Sequence, residues 1–150
     1  MRLSVFAFVF GLAVGVPPPA LAAAAEGEVK PACASHKAQW TLKKGEFVQS
    51  PSKKVTLTMG SMGDLVLKGP DGKELWTTFG KGDTTTDHAV LETNGEMTVR
   101  VIGKNNTPET VWTSGSGSDL YKEAALEICD DASLRIVSGP NLLWGISPAT

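Results

Sequence analysis

The chain has 150 residues, 14 basic and 16 acidic side chains, two histidines and two cysteines, and a formal charge of −2. That length holds one ordinary domain. Acids and bases are interspersed, and no basic face is evident, which argues against a nucleic-acid partner.

Residues 1–22 read as a secretory signal. Arg2 is the only early charge. A nearly unbroken apolar run from Leu3 to Val16 follows, then three prolines and the small-x-small pattern Ala20-Leu21-Ala22. The run falls short of the roughly 20 residues that span a bilayer, and no second run of that length follows. The expectation is therefore an exported protein, secreted or extracytoplasmic, without a membrane span. The leader holds one base and no acid, so its removal moves the formal charge from −2 to −3.

Residues 23–37 read as a lead-in, and 38–150 as the folded domain. In an exported chain an isolated cysteine pair forms a disulfide, here Cys33 with Cys129 near opposite ends of the mature chain. Cys33 and His36 have the spacing of two metal ligands. A structural zinc needs four, and His88 is the only other histidine, so no metal or other cofactor is expected.

From Trp40 onward, runs of four to six apolar or alternating residues are separated by Gly, Pro, Asp, Asn and Ser clusters, the mark of an all-β chain. The only helical spacing lies in Asp119–Ile128, where a strand over Leu126–Cys129 is an equal alternative. An internal repeat organises the rest. Copy one runs Val55–Met59, Gly63–Lys68, a Gly-Pro-Asp-Gly-Lys turn and Leu75-Trp76. Copy two runs His88–Leu91, Asn94–Arg100, a longer turn over 103–109 and Val111-Trp112. Copy three runs Leu126–Ile128, Ala132–Val137, a Ser-Gly-Pro-Asn turn and Leu143-Trp144. Three tryptophans at one register imply packing around a shared axis. Trp40–Phe47 has no later equivalent and is expected to complete one copy. Strand alternation puts Leu65, Leu67, Met97, Val99, Leu134 and Ile136 on the core side. The opposite side carries Asp64, Val66, Lys68, then Glu96, Thr98, Arg100, then Ser133, Arg135, Val137, a mostly polar outward face.

The repeat resembles the bulb-type, mannose-binding lectin domain, most clearly over Val55–Trp76, with Leu42–Phe47 also fitting and the likeness extending over about residues 38–147. The resemblance implies a three-sided β-prism and a non-enzymatic carbohydrate-binding function, with glycans or glycoproteins as partners. It also implies a possible homodimer through exchange of the apolar C-terminal strand around Leu142–Ile146. Copies in that family read Gln-x-Asp-x-Asn-x-Val-x-Tyr, where the polar residues bond sugar hydroxyls and Val packs on the ring. The corresponding residues here are Gly60, Met62, Asp64, Val66 and Lys68 in copy one; Glu92, Asn94, Glu96, Thr98 and Arg100 in copy two; and Cys129, Asp131, Ser133, Arg135 and Val137 in copy three.

The candidate carbohydrate-binding residues are therefore Glu92, Asn94, Glu96, Thr98 and Arg100, with Asp64 and Val66 as remnants in copy one. Two carboxylates, an amide, a hydroxyl and a guanidinium suit a polyol. Copy three is expected to be closed, because a Cys33–Cys129 bond carries the N-terminal segment across its mouth. The alternative is a prism that has lost sugar binding and associates with proteins or with itself. Catalysis has little footing. Asp87 and His88 are adjacent on a strand and point to opposite faces, and Glu92 with Glu96 lacks a fixed glycosidase separation. Gly115–Ser118 reads as a flexible connector, and Asn105-Asn106-Thr107 as a glycosylation acceptor in a eukaryotic source.

Overall fold

The computed structural model describes residues 29–147, apart from 81 and 83; the leader reading falls outside that range. Twelve strands and no helix occur among the described residues: β1 (Cys33–Lys37), β2 (Thr41–Lys43), β3 (Phe47–Gln49), β4 (Thr56–Met59), β5 (Leu65–Lys68), β6 (Glu74–Thr77), β7 (Thr84–Leu91), β8 (Met97–Gly103), β9 (Pro108–Thr113), β10 (Ala125–Cys129), β11 (Leu134–Ser138) and β12 (Asn141–Ile146). They form three four-stranded antiparallel sheets. Sheet I is β3-β4-β5-β6, sheet II is β2-β7-β8-β9, and sheet III is β1-β10-β11-β12.

Each sheet is one copy of the repeat plus one strand from the N-terminal segment. The chain first lays single strands in sheets III, II and I. It then returns, filling I, II and III with three strands each. This corrects two expectations. Residues 33–37, read as the end of a lead-in, are β1. Trp40–Phe47 completes more than one copy: it supplies β2 to sheet II and opens β3 in sheet I. Strands of three to five residues bounded by Gln39 and Gly45 at positive φ are too short to show a clear period, so periodicity alone missed them. The ambiguous Asp119–Ile128 segment is turn up to Ala124 and then β10.

The core repeats with the sheets. Its cross-strand pairs are Leu57↔Leu67 and Met59↔Leu65, Ala89↔Val99 and Leu91↔Met97, and Leu126↔Ile136 and Ile128↔Leu134. All twelve side chains are fully buried. Burying one such side chain stabilises by about 1.5–3 kcal/mol.

The apolar-Trp signature has a structural meaning. In every sheet a β-bulge falls just after the second core residue of the third strand, between Leu67 and Lys68, Val99 and Arg100, and Ile136 and Val137. The residue skipped in the register is Leu75, Val111 or Leu143, and the next residue is the tryptophan, set opposite Leu67, Val99 or Ile136. A bulge re-aims the side chain that follows it. Here it turns Trp76, Trp112 and Trp144 to the axis, where their centroids lie 5.4, 5.4 and 5.6 Å apart in edge-to-face contact. That geometry favours the aromatic quadrupoles.

The disulfide joins Cys33 and Cys129 directly across β1 and β10, with a sequence separation of 96. Closing a loop of that size is worth about 4–5 kcal/mol in the chain-entropy model.

Candidate functional site

The outward face of sheet II holds five of the seven candidate residues, and the structure divides them. Glu92, Thr98 and Arg100 come together: Arg100 Nη2 donates to Glu92 Oε1, and Thr98 Oγ1 lies 3.4 Å from the same oxygen. Glu92 closes the β7–β8 turn, while Thr98 and Arg100 alternate with buried Val99 on β8, which puts both on the outer side.

Asn94 and Glu96 face other duties. Asn94 Oδ1 accepts the Glu96 amide at 3.0 Å inside the turn. The Glu96 carboxylate gathers the segment after β9. Its Oε1 accepts from the Thr113 hydroxyl, the Ser114 hydroxyl (3.2 Å) and the Gly115 amide (2.6 Å). Its Oε2 accepts from the Gly117 amide (2.7 Å). Burial alone would raise the pKa of Glu96; the bonds from Thr113, Gly117, Gly115 and Ser114 outweigh it and hold the carboxyl below the ordinary glutamate value. A Cβ at Gly117 would sit 2.5 Å from Glu96 Oε2, so a side chain there would push the carboxylate out of its present position. The flexible connector of the sequence reading is thus a tethered loop.

In sheet I, Asp64 Oδ1 accepts the Met62 amide at 3.2 Å. A Cβ at Gly60 would sit 2.2 Å from the same oxygen, so the space for a glutamine there is filled by Asp64 itself. Val66 lies in the row Phe47↔Thr58↔Val66↔Thr77 and is 8 % exposed. Thr98 and Ser133 are equally covered. The outward side is therefore less wet than alternation implies, because flanking strands cover the central one.

In sheet III, Asp131 Oδ1 accepts from both the amide and the hydroxyl of Ser133, at 3.0 and 2.6 Å. Arg135 Nη2 stands 3.0 Å from each disulfide sulfur and 3.2 Å from Glu127 Oε2. The N-terminal segment runs alongside, yet a cavity of about 540 Å³ remains between Val29, Lys30, Pro31, Asp131 and Arg135. Copy three thus carries the disulfide beside Arg135 where the sequence reading expected a closed site.

Cys33, Glu127 and Cys129 bring potential metal-ligating atoms within 4.8 Å of one another, but both sulfurs are spent in the disulfide. His36 stacks on Trp40 at 4.8 Å, and burial lowers its pKa. Asp87 is fully buried and paired with Lys44 at 3.2 Å, while His88 is half-buried on the other side of β7. Sequence reasoning weighed His88 only for metal binding and catalysis and passed over Lys43; both stand beside Arg100 across β2, β7 and β8. Their signal was faint because β2 is three residues long.

No family model matches this chain, and no curated protein sequence matches it. Solved structures do. A lectin of the fungus Marasmius oreades aligns at a TM-score of 0.60 and 20% identity, over 75% of this chain and 88% of that one. A monomeric monocot mannose-binding lectin from Gastrodia elata aligns at 0.57 and 14%, over 74% and 94%. The mannose-specific agglutinin of snowdrop (Galanthus nivalis) bulbs, complexed with methyl-α-D-mannoside, aligns at 0.55 and 22%, over 69% and 87%. With three sheets, one tryptophan from each at the axis, and these neighbours, the chain has the three-sided β-prism fold of the bulb-type lectins.

Proposed function

We propose that this protein is an exported, non-enzymatic carbohydrate-binding protein of the lectin type, with the outward face of sheet II as its saccharide surface. The Glu92–Thr98–Arg100 cluster carries the reading. It offers a carboxylate acceptor and a guanidinium on one shallow face, with the covered Thr98 hydroxyl behind them, in a fold two of whose named neighbours bind mannose. Recognition would proceed by exchanging hydration for paired hydroxyl contacts, since a sugar hydroxyl left unpaired on binding costs affinity. Shallow sites of this kind gain avidity when protomers or glycan branches are multivalent. Glu96, Asn94 and Asp64 act on the protein's own backbone in this scheme, so they shape the site and do not read the sugar. Export is supported by the leader pattern of residues 1–22 and by the disulfide.

A second reading, a prism without sugar binding that associates with proteins or a second copy, draws on sheet I. Phe47, Met62 and Phe79 are 59, 58 and 81 % exposed there. A glycan array on the secreted protein separates the two. Binding that Arg100→Ala abolishes while the fold persists is the expected result. An array without a single bound glycan, with dimerisation seen in sedimentation, would favour the second reading.

A further inference from the structure

We propose that the outward face of sheet II, from Lys43 to Arg100, is a subsite for an acidic saccharide, a sugar bearing a carboxylate or a sulfate. The inference rests on the lectin reading above and names the ligand class of its face.

The register places Lys43, His88, Arg100 and Thr110 side by side across all four strands. The three nitrogen-bearing residues point outward, because Leu42, Ala89 and Val99 next to them in sequence are buried in the core. Directly opposed side chains in a sheet have Cβ atoms about 4.5–5.5 Å apart, so Lys43 and Arg100 flank His88 on one short stretch of surface. The fold does not demand such a row. Its equivalents are Gln49, Thr56, Lys68 and Glu74 in sheet I, and Lys37, Ala125, Val137 and Leu142 in sheet III, each with a single base. Only Arg100 has a carboxylate partner, Glu92; Lys43 has none among the described residues. A guanidinium also keeps donors beyond the one Glu92 takes, in a fork that suits a carboxylate or sulfate.

The lectin reading makes the anion a substituent of a sugar, and a cavity for the ring adjoins the row. It measures about 380 Å³ and is lined by Thr41, Lys43, Lys44, Thr85, Asp87 and His88. The Asp87 carboxylate is fully buried on the other side of β7 and pairs with Lys44, so it is no part of the ligand surface. An anionic group on the Lys43–Arg100 row, with the sugar ring over the neighbouring cavity, describes an acidic sugar.

The test is titration calorimetry of the intact secreted protein with four probes: an oligogalacturonate, a sulfated galactan oligosaccharide, neutral mannotriose and poly-L-glutamate. Binding of either acidic oligosaccharide about tenfold tighter than mannotriose, falling about tenfold in Lys43→Gln, is expected for one charge-assisted contact. The carboxylate and sulfate arms show which acid is read. Lys73→Gln, on the β5–β6 turn of sheet I, should change nothing. Mannotriose bound as tightly as the acids, or Lys43→Gln without effect, overturns the acidic subsite and leaves the lectin reading standing. Poly-L-glutamate bound as tightly reduces it to charge alone and overturns it too. Failure of every saccharide overturns both. His88→Gln should act like Lys43→Gln; should it misfold, the exposed Lys43 position still decides.

Discussion

The inner and outer faces of the three sheets have diverged to very different degrees. Inward, the copies agree position by position. Each gives two buried cross-strand pairs, one bulge at the same point and one tryptophan to the axis. Outward, no two agree. Sheet I presents Val66 with an exposed Phe47, sheet II a basic row with a Glu92–Arg100 pair, and sheet III a disulfide under Arg135. The reason is physical. A close-packed interior penalises volume changes of even one methylene, whereas surface changes mostly cost within about 0.5 kcal/mol. A shared fold therefore says little about which outer face still binds.

The sharpest way to break the inner symmetry is to cut the one bond outside the repeat. Reduction, or the double Cys33→Ala/Cys129→Ala variant, should lower unfolding stability by about 4–5 kcal/mol at most, since it frees a loop of sequence separation 96. β1 is the strand released, so sheet III should lose hydrogen-exchange protection before sheets I and II. An unchanged denaturation midpoint would show that β1 docks without the bond.

Next is the tryptophan axis. Trp112→Ala should cost about 3 kcal/mol, at the low end for large core truncations because the ring is only half-buried. If the three positions are equivalent, Trp76→Phe, Trp112→Phe and Trp144→Phe should cost the same within about 1 kcal/mol in urea melts. One variant far out of line would mean that the axis is threefold in geometry but not in energy.

These two predictions rest on features of unequal legibility. The repeat, its core side and its tryptophans were readable because strand alternation puts Leu65 and Leu67, or Met97 and Val99, on one face without reference to neighbours. The bulge before each tryptophan was visible only as an apolar-Trp pair, since a bulge is a property of two strands. The strands from 33 to 49 were misjudged for the same reason: β1, β2 and β3 are short, and each belongs to a different sheet. At the site, residue types were legible and their employment was not. Glu96 and Glu92 look alike in sequence. Only the fold shows that one binds a loop and the other faces Arg100.

The Glu96 loop sharpens that last contrast. Glu96→Gln removes the charge from a carboxylate taking four donors and should cost about 1–2 kcal/mol. Glu92→Gln, at a partly exposed ion pair, should cost less than about 1 kcal/mol. Exchange of the Gly115 and Gly117 amides should speed up in the first variant only. Equal costs would mean that the loop is held by its backbone and not by the carboxylate.

Acid gives the smallest effect and the most local one. The pKa of Glu96 is lowered in the folded protein, so the folded state binds this proton less readily than the unfolded chain does. Its stabilising contribution is complete above the ordinary glutamate value, about 4.3. It is lost as the pH falls below that value and through the lowered pKa of the folded state. Between pH 7 and 5 the loop should therefore be unaffected. Below about pH 4 the Gly115 and Gly117 amides should lose protection while the Leu65 and Leu134 amides, on core strands, keep theirs. Loosening of the loop already at pH 6 would point to another titrating group and would remove Glu96 as the latch.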